Sequence, residues 1–229
     1  MNYTKTTATE SSFVSTVFLW MFAALGITAL TAYLFASTPS LMMMMFSETG
    51  LNIFGWIVML APLIIVFVMS ARVEKMSVQT MTMLYIVYSI LMGISLSFIF
   101  LLYTGASIMK TFAICSAMFG IMALVGYTTK TDLTKFGGIL MMALIGIIVA
   151  SLVNFFMHSE RLEYIISFVG VLIFTGLTAY DVQKIKEIGN NGIAQGDTMA
   201  KMTIFAALSL YLDFINLFLY LLRFFGKRN

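Results

Sequence analysis

The chain is poor in most of what builds a soluble enzyme. Only 10% of its 229 residues are charged, and it has one cysteine, one histidine and two prolines. A lone Cys115 excludes an internal disulfide and any multi-cysteine metal site; within AICSAMF it reads as a small buried thiol. The lone His158 falls in a loop between apolar stretches, so neither a His-based zinc site nor H-E-x-x-H is available. G-x-S-x-G is also missing, and a serine protease dyad would need a histidine at membrane depth. No lysine stands between Thr203 and Leu222, which removes a retinal Schiff base in the last apolar stretch. The chain therefore reads as a protein without enzymatic chemistry and without a cofactor. Its net charge of +3 is spread among loops, and no clustered basic face suggests nucleic acid.

Apolar residues are what the chain has. They make up 61% of it, with a mean hydropathy of +0.99, far outside the range of soluble domains. Stretches long enough to cross about 30 Å of hydrocarbon at about 1.5 Å per residue fall at residues 13 to 36, 51 to 71, 79 to 103, 111 to 127, 136 to 157, 164 to 181 and 202 to 225. The expected fold is all-α and integral to the membrane, a seven-helix bundle over residues 13–229 behind a polar tail at 1–12. A six-span count is the alternative, since the fourth stretch is short and only MHSERLE separates the fifth from the sixth. Because the tail is followed by a long apolar run and not by a short one with a cleavage site, the first span is expected to be retained. The one connection of real length is QKIKEIGNNGIAQGDTMAK, with a helix stop at Gly189 to Gly192 and Asp197 as an N-cap.

Lys5, Arg72, Lys75, Lys130, Lys135, Lys184, Lys186 and Lys201 fall on the N-terminal side of the membrane, and Lys110, Arg161, Arg223, Lys227 and Arg228 on the other. The positive-inside tendency places the N-terminus in the cytoplasm. Small residues at Ala24, Thr28 and Ala32, and at Ser89, Gly93 and Ser97, form two narrow stripes for close helix approach. Packing within one bundle, hence a monomer, is favoured over a dimer interface. Pro62 is a site for a kink in the second span. The run Met42 to Met45 suggests Cu(I), but consecutive side chains point around a helix without converging, so a hydrophobic interfacial segment is expected.

Two carboxylates stand apart from the loops. Asp213 lies about 11 residues into its span, at a depth where an ionised carboxylate costs on the order of 3 kcal/mol. Ser209, Asn216 and Tyr220 share its helical face, so the helix carries a polar stripe that must look inward. Asp181 ends the sixth apolar run, with Lys184 one turn on. If the two met, they could not both be charged cheaply; they would share a proton, and their oxygens would suit a hard cation such as Ca²⁺.

The segments FTGLTAYDVQKIK (174 to 186), LSLYLDFINLFLYLLRFFG (208 to 226) and GYTTKTDLTKFGGILMMALIGIIVASLVNFF (126 to 156) closely resemble the Bax inhibitor-1, or transmembrane Bax inhibitor motif, family, in its bacterial inner-membrane branch. The resemblance implies a seven-helix bundle with the last helix central. It also implies a pH-sensitive calcium leak across the bacterial plasma membrane, gated by a di-aspartyl pair that matches Asp181 and Asp213, with Ca²⁺ as the permeating ion held only in transit. Arg223 matches a basic position of the family, and Arg72 corresponds to a latch arginine near the end of the second helix. The alternative is a regulatory protein that binds a membrane-bound protease, with the polar tail as its handle, as some bacterial relatives do.

Overall fold

The computed structural model describes residues 3–47, 50–191 and 196–229. Its helices are α1 (Tyr3–Ser37), α2 (Pro39–Met43), α3 (Ile53–Arg72), α4 (Val78–Leu96), α5 (Ile99–Leu102), α6 (Gly105–Thr128), α7 (Thr134–Met157), α8 (Glu160–Asn191) and α9 (Asp197–Phe225). With α4 and α5 taken as one, seven helical stretches among the described residues are long and apolar enough to cross a membrane. They settle the count at seven, because Gly105–Thr128 starts earlier than its apolar core and so lengthens the fourth span. Residues 3–10 belong to α1, so the described part of the polar tail is helical.

The connection expected at 183–201 is largely helix. Thr178, Val182, Ile185 and Gly189 are all buried and recur at helical spacing, so one apolar face runs on through the polar sequence and carries α8 to Asn191. Asp197 is the first residue of α9 and not its N-cap; there its carboxylate still meets the positive end of the helix dipole. Gly196 before it adopts φ +61, a left-handed conformation that glycine takes without strain.

The chain groups into two compact units. One comprises Ser15–Leu102, Ile193–Leu208 and Asn229. In it the two small-residue stripes face each other: a Cβ on Gly93 would lie 2.6 Å from the Thr28 carbonyl oxygen, and the Thr28 hydroxyl donates to the Ser89 carbonyl at 2.9 Å. These stripes pack α1 on α4 within one chain. Asn52 caps α3 by accepting from the Gly55 amide at 2.9 Å, and it closes a short hairpin of Phe46–Ser47 and Gly50–Leu51. Met42 and Met45 are buried while Met43 and Met44 are exposed, so the methionine run diverges as its spacing predicts. Pro62 lies inside α3 and is buried.

The second unit comprises Met1–Val14, Tyr103–Gly192 and Ser209–Arg228, and it contains both aspartates. Here α8 packs on α6 and α7 through small residues. A Cβ on Gly126 would run into the Ala179 carbonyl oxygen, one on Gly137 would meet the Tyr180 ring at 2.7 Å, and one on Gly176 would meet Leu140 at 3.0 Å. The α9 helix meets α6 through aromatic rings, Phe214 against Phe119 at 5.4 Å and against Phe112 at 5.6 Å. It meets α8 through Tyr220, whose ring stacks on Phe174 at 5.8 Å and covers Gly170. Burial follows: 67% of the most apolar window of α9 is shielded, against 6% for α7.

Candidate functional site

Asp213 is buried, with 5% of its surface exposed, and among the described residues its Oδ2 has no hydrogen-bond partner. The half-buried Asp181 approaches it from α8, close enough for its charge to act on the Asp213 carboxylate, and no hydrogen bond joins the two. Lys184 is the cation that acts on Asp181. The two carboxylates that the sequence singled out thus lie within reach of each other's charge, one enclosed and one half-buried.

The polar stripe on α9 does not close around Asp213. The Asn216 amide donates back to the Leu212 carbonyl on its own helix at 2.8 Å, and Tyr220 spends its ring on Gly170 and Phe174. Ser209 is half-buried one turn before Asp213. On the other side of the aspartate, the Cys115 thiol approaches the Phe214 carbonyl at 3.7 Å. None of the three stripe residues hydrogen-bonds the Asp213 carboxylate, and among the described residues its Oδ2 has no partner.

Of the two arginines, Arg223 finds a partner and Arg72 does not. Arg72 is exposed at the end of α3, with no ion pair or hydrogen bond among the described residues. Arg223, at the end of α9, lies with Nε 3.7 Å from Glu163 Oε1, and its guanidinium sits 5.7 Å from the centre of the Tyr220 ring. Arg228 reaches the same Glu163 oxygen at 3.1 Å. This cluster borders a cavity of about 510 Å³ lined by Ser151, Asn154, Phe155, His158, Glu163, Ile166 and Arg223. His158 ends α7 in a left-handed conformation, φ 52, as the loop residue expected of it.

Sequence reading missed Glu163, which looked like one loop acid among several, and Gln183, which fell in a segment read as loop; Lys186, which offered itself as a second cation for Asp181, is engaged at Tyr127. Gln183 is buried and uses both ends of its amide on the connection between α6 and α7. The signal was present in the apolar spacing of Val182, Ile185 and Gly189, which continues the helix past Asp181.

Comparison with known proteins agrees with this architecture. The family described as "Inhibitor of apoptosis-promoting Bax1" matches residues 10–229. The chain is similar to "Inner membrane protein YbhL" of Escherichia coli (strain K12), 47% identical over 220 residues that cover 95% of this chain and 92% of that protein. It is 43% identical to an uncharacterized protein of Rickettsia prowazekii over 243 residues, covering 100% of this chain and 99% of the relative. It is also 46% identical to one of Borreliella burgdorferi over 222 residues, covering 96% and 94%. Seven spans and such relatives describe a multi-pass protein of the inner membrane. The chain belongs to the Bax inhibitor-1 family.

Proposed function

We propose that this protein is a pH-sensitive calcium leak channel in which Asp181 and Asp213 act together as proton sensor and gate. The observation that carries this reading is the buried Asp213 carboxylate, with an unpartnered oxygen, beside a second carboxylate. A buried carboxylate is costly unless it is protonated or bound to a cation, and two that feel each other titrate as a pair. Protons and Ca²⁺ then compete for the same oxygens. Among the described residues no three His, Cys, Asp or Glu side chains gather into a metal cluster. Two carboxylates alone would hold Ca²⁺ weakly, which suits an ion in passage better than one in storage. The positive-inside tendency orients the N-terminus, and with it the Asp181 end of α8, toward the cytoplasm.

The test is flux. Purified protein in liposomes holding a Ca²⁺ indicator is compared with Asp213→Asn and Asp181→Asn across about pH 6 to 8, since two interacting carboxyls titrate as a pair. Wild type should leak Ca²⁺ with a pH dependence that each substitution flattens. Flux no higher than in empty vesicles, or equal in all three proteins, would refute the reading.

A further inference from the structure

Past Asp181, α8 continues for about 15 Å at helical rise, to Asn191, and this extension is tied down at successive points. The Gln183 Oε1 accepts from the Leu133 amide at 2.8 Å, and its Nε2 donates to the Thr131 carbonyl at 2.8 Å. One buried amide thus pairs with the backbone of the α6–α7 connection at both ends, as a neighbouring strand would. One turn on, the Lys186 ammonium donates to the Tyr127 carbonyl at 2.8 Å and lies 4.9 Å from the centre of the Tyr127 ring. Just before Asp181, Ala179 presses its carbonyl against Gly126, and Tyr180 lays its ring over Gly137.

The four contacts bracket Asp181. Residues 179 and 180 precede it, 183 and 186 follow it, and all four engage the end of α6, the connection or the start of α7. The Asp181 side chain itself makes no hydrogen bond to any of them. Its carboxylate is therefore placed by its backbone, and the backbone is placed by its neighbours. Of these anchors, Gln183 is the buried one with two directional bonds, so it fixes both the rotation and the axial position of this turn.

We propose that Gln183 is the positioning residue of the carboxylate pair, joining α8 to the α6–α7 connection so that Asp181 is held at a set separation from Asp213 on α9. This inference rests on the reading of the pair as a proton sensor and names what sets its geometry. The charges that act on the pair members are Lys184 on Asp181 and Asp181 on Asp213. The ionisable groups that α6, the connection and α7 bring to this stretch of chain are Tyr127, Lys130, Asp132 and Lys135, with Lys186 already engaged at Tyr127. Gln183 itself is neutral, so removing its amide changes position without changing charge.

The experiment uses the full chain in Ca²⁺-indicator liposomes, with Gln183→Met, which keeps length and loses both bonds, and Lys186→Met, which loosens the next turn. The readouts are the pH midpoint of flux and the thermal unfolding midpoint. A folded Gln183→Met protein should show its flux midpoint moved by about half a pH unit or more, since one unit is a tenfold change in the protonation equilibrium. Lys186→Met should move it in the same direction. A folded Gln183→Met with the wild-type midpoint overturns the proposal. If that variant does not fold, a wild-type midpoint in Lys186→Met overturns it instead. Absence of wild-type flux, or flux indifferent to Asp213→Asn, overturns the sensor reading and this inference with it. Flux that Asp213→Asn abolishes but neither methionine variant shifts removes the positioning role alone.

Discussion

Asp213 is enclosed by the protein within reach of the Asp181 charge, and one of its carboxylate oxygens finds no hydrogen-bond partner among the described residues. Evolution of a stable bundle alone would not leave it so, because an apolar residue at a buried helical position carries no such penalty.

Stability should therefore rise when the charge is removed. Asp213→Leu removes the unpaired oxygens together with any charge and is expected to gain on the order of 1–3 kcal/mol, the usual cost of a buried polar group left unpaired. Thermal unfolding in detergent checks this. A gain in midpoint with loss of pH-dependent flux is the stability–activity exchange expected of a functional site, whereas a lower midpoint would show that the carboxylate serves packing.

Two glycines on α6 should answer differently to the same change. Gly120 has open space where a Cβ would go, so Gly120→Ala is expected to gain about 0.5–1 kcal/mol from helix propensity. Gly126 meets the Ala179 carbonyl, and Gly126→Ala must push α6 from α8, a loss of about 1–3 kcal/mol. Paired unfolding curves decide it, and equal effects would contradict the close approach beside Asp181.

Asp132 ties the start of α7. Its Oδ1 accepts from the Thr134 amide at 2.9 Å and from the Thr134 hydroxyl, and these bonds hold its pKa below the ordinary carboxylate value. A depressed folded-state pKa contributes stability that is present above the unfolded value and is lost as pH falls through the folded one. Exchange of the Thr134 amide should accelerate as pH falls below the normal carboxylate range, beyond the intrinsic pH trend, and Asp132→Asn should remove that acid dependence. Indifference to the substitution would contradict the cap.

The cluster at Glu163 should matter little to stability. Arg223 and Arg228 expose 40% and 63% of their side chains and Glu163 exposes 32%, so solvent screens both pairs. Glu163→Gln is expected to cost no more than about 1 kcal/mol, falling with added salt. A larger, salt-independent loss would mean that the pairs lock the end of α9.

Much of this was legible in the sequence, for physical reasons that differ by residue. Runs of apolar residues located the spans because hydrocarbon demands them. Asp213 announced itself by its cost, and the stripes around Thr28 and Gly93 by their size. Asp181 was found by its contrast with the run before it, but its setting was not: the helix-breaking look of Gly189 to Gly192 hid ten further helical residues. Gln183 was invisible for the same reason, since a glutamine in a presumed loop carries no signal until its burial is known. Glu163 gained meaning only when folding set the ends of α8 and α9 side by side. Long-range pairs of this kind leave no trace in local spacing.

The most direct test of the central claim is a double-mutant cycle on the two aspartates, read as the pH dependence of Ca²⁺ flux in liposomes. If Asp181 and Asp213 work as one proton-sharing pair, Asp181→Asn, Asp213→Asn and the double variant should all show the same flattened profile, because either loss already dissolves the pair. Additive effects, with each single variant keeping part of the wild-type pH dependence and the double losing the sum, would contradict it.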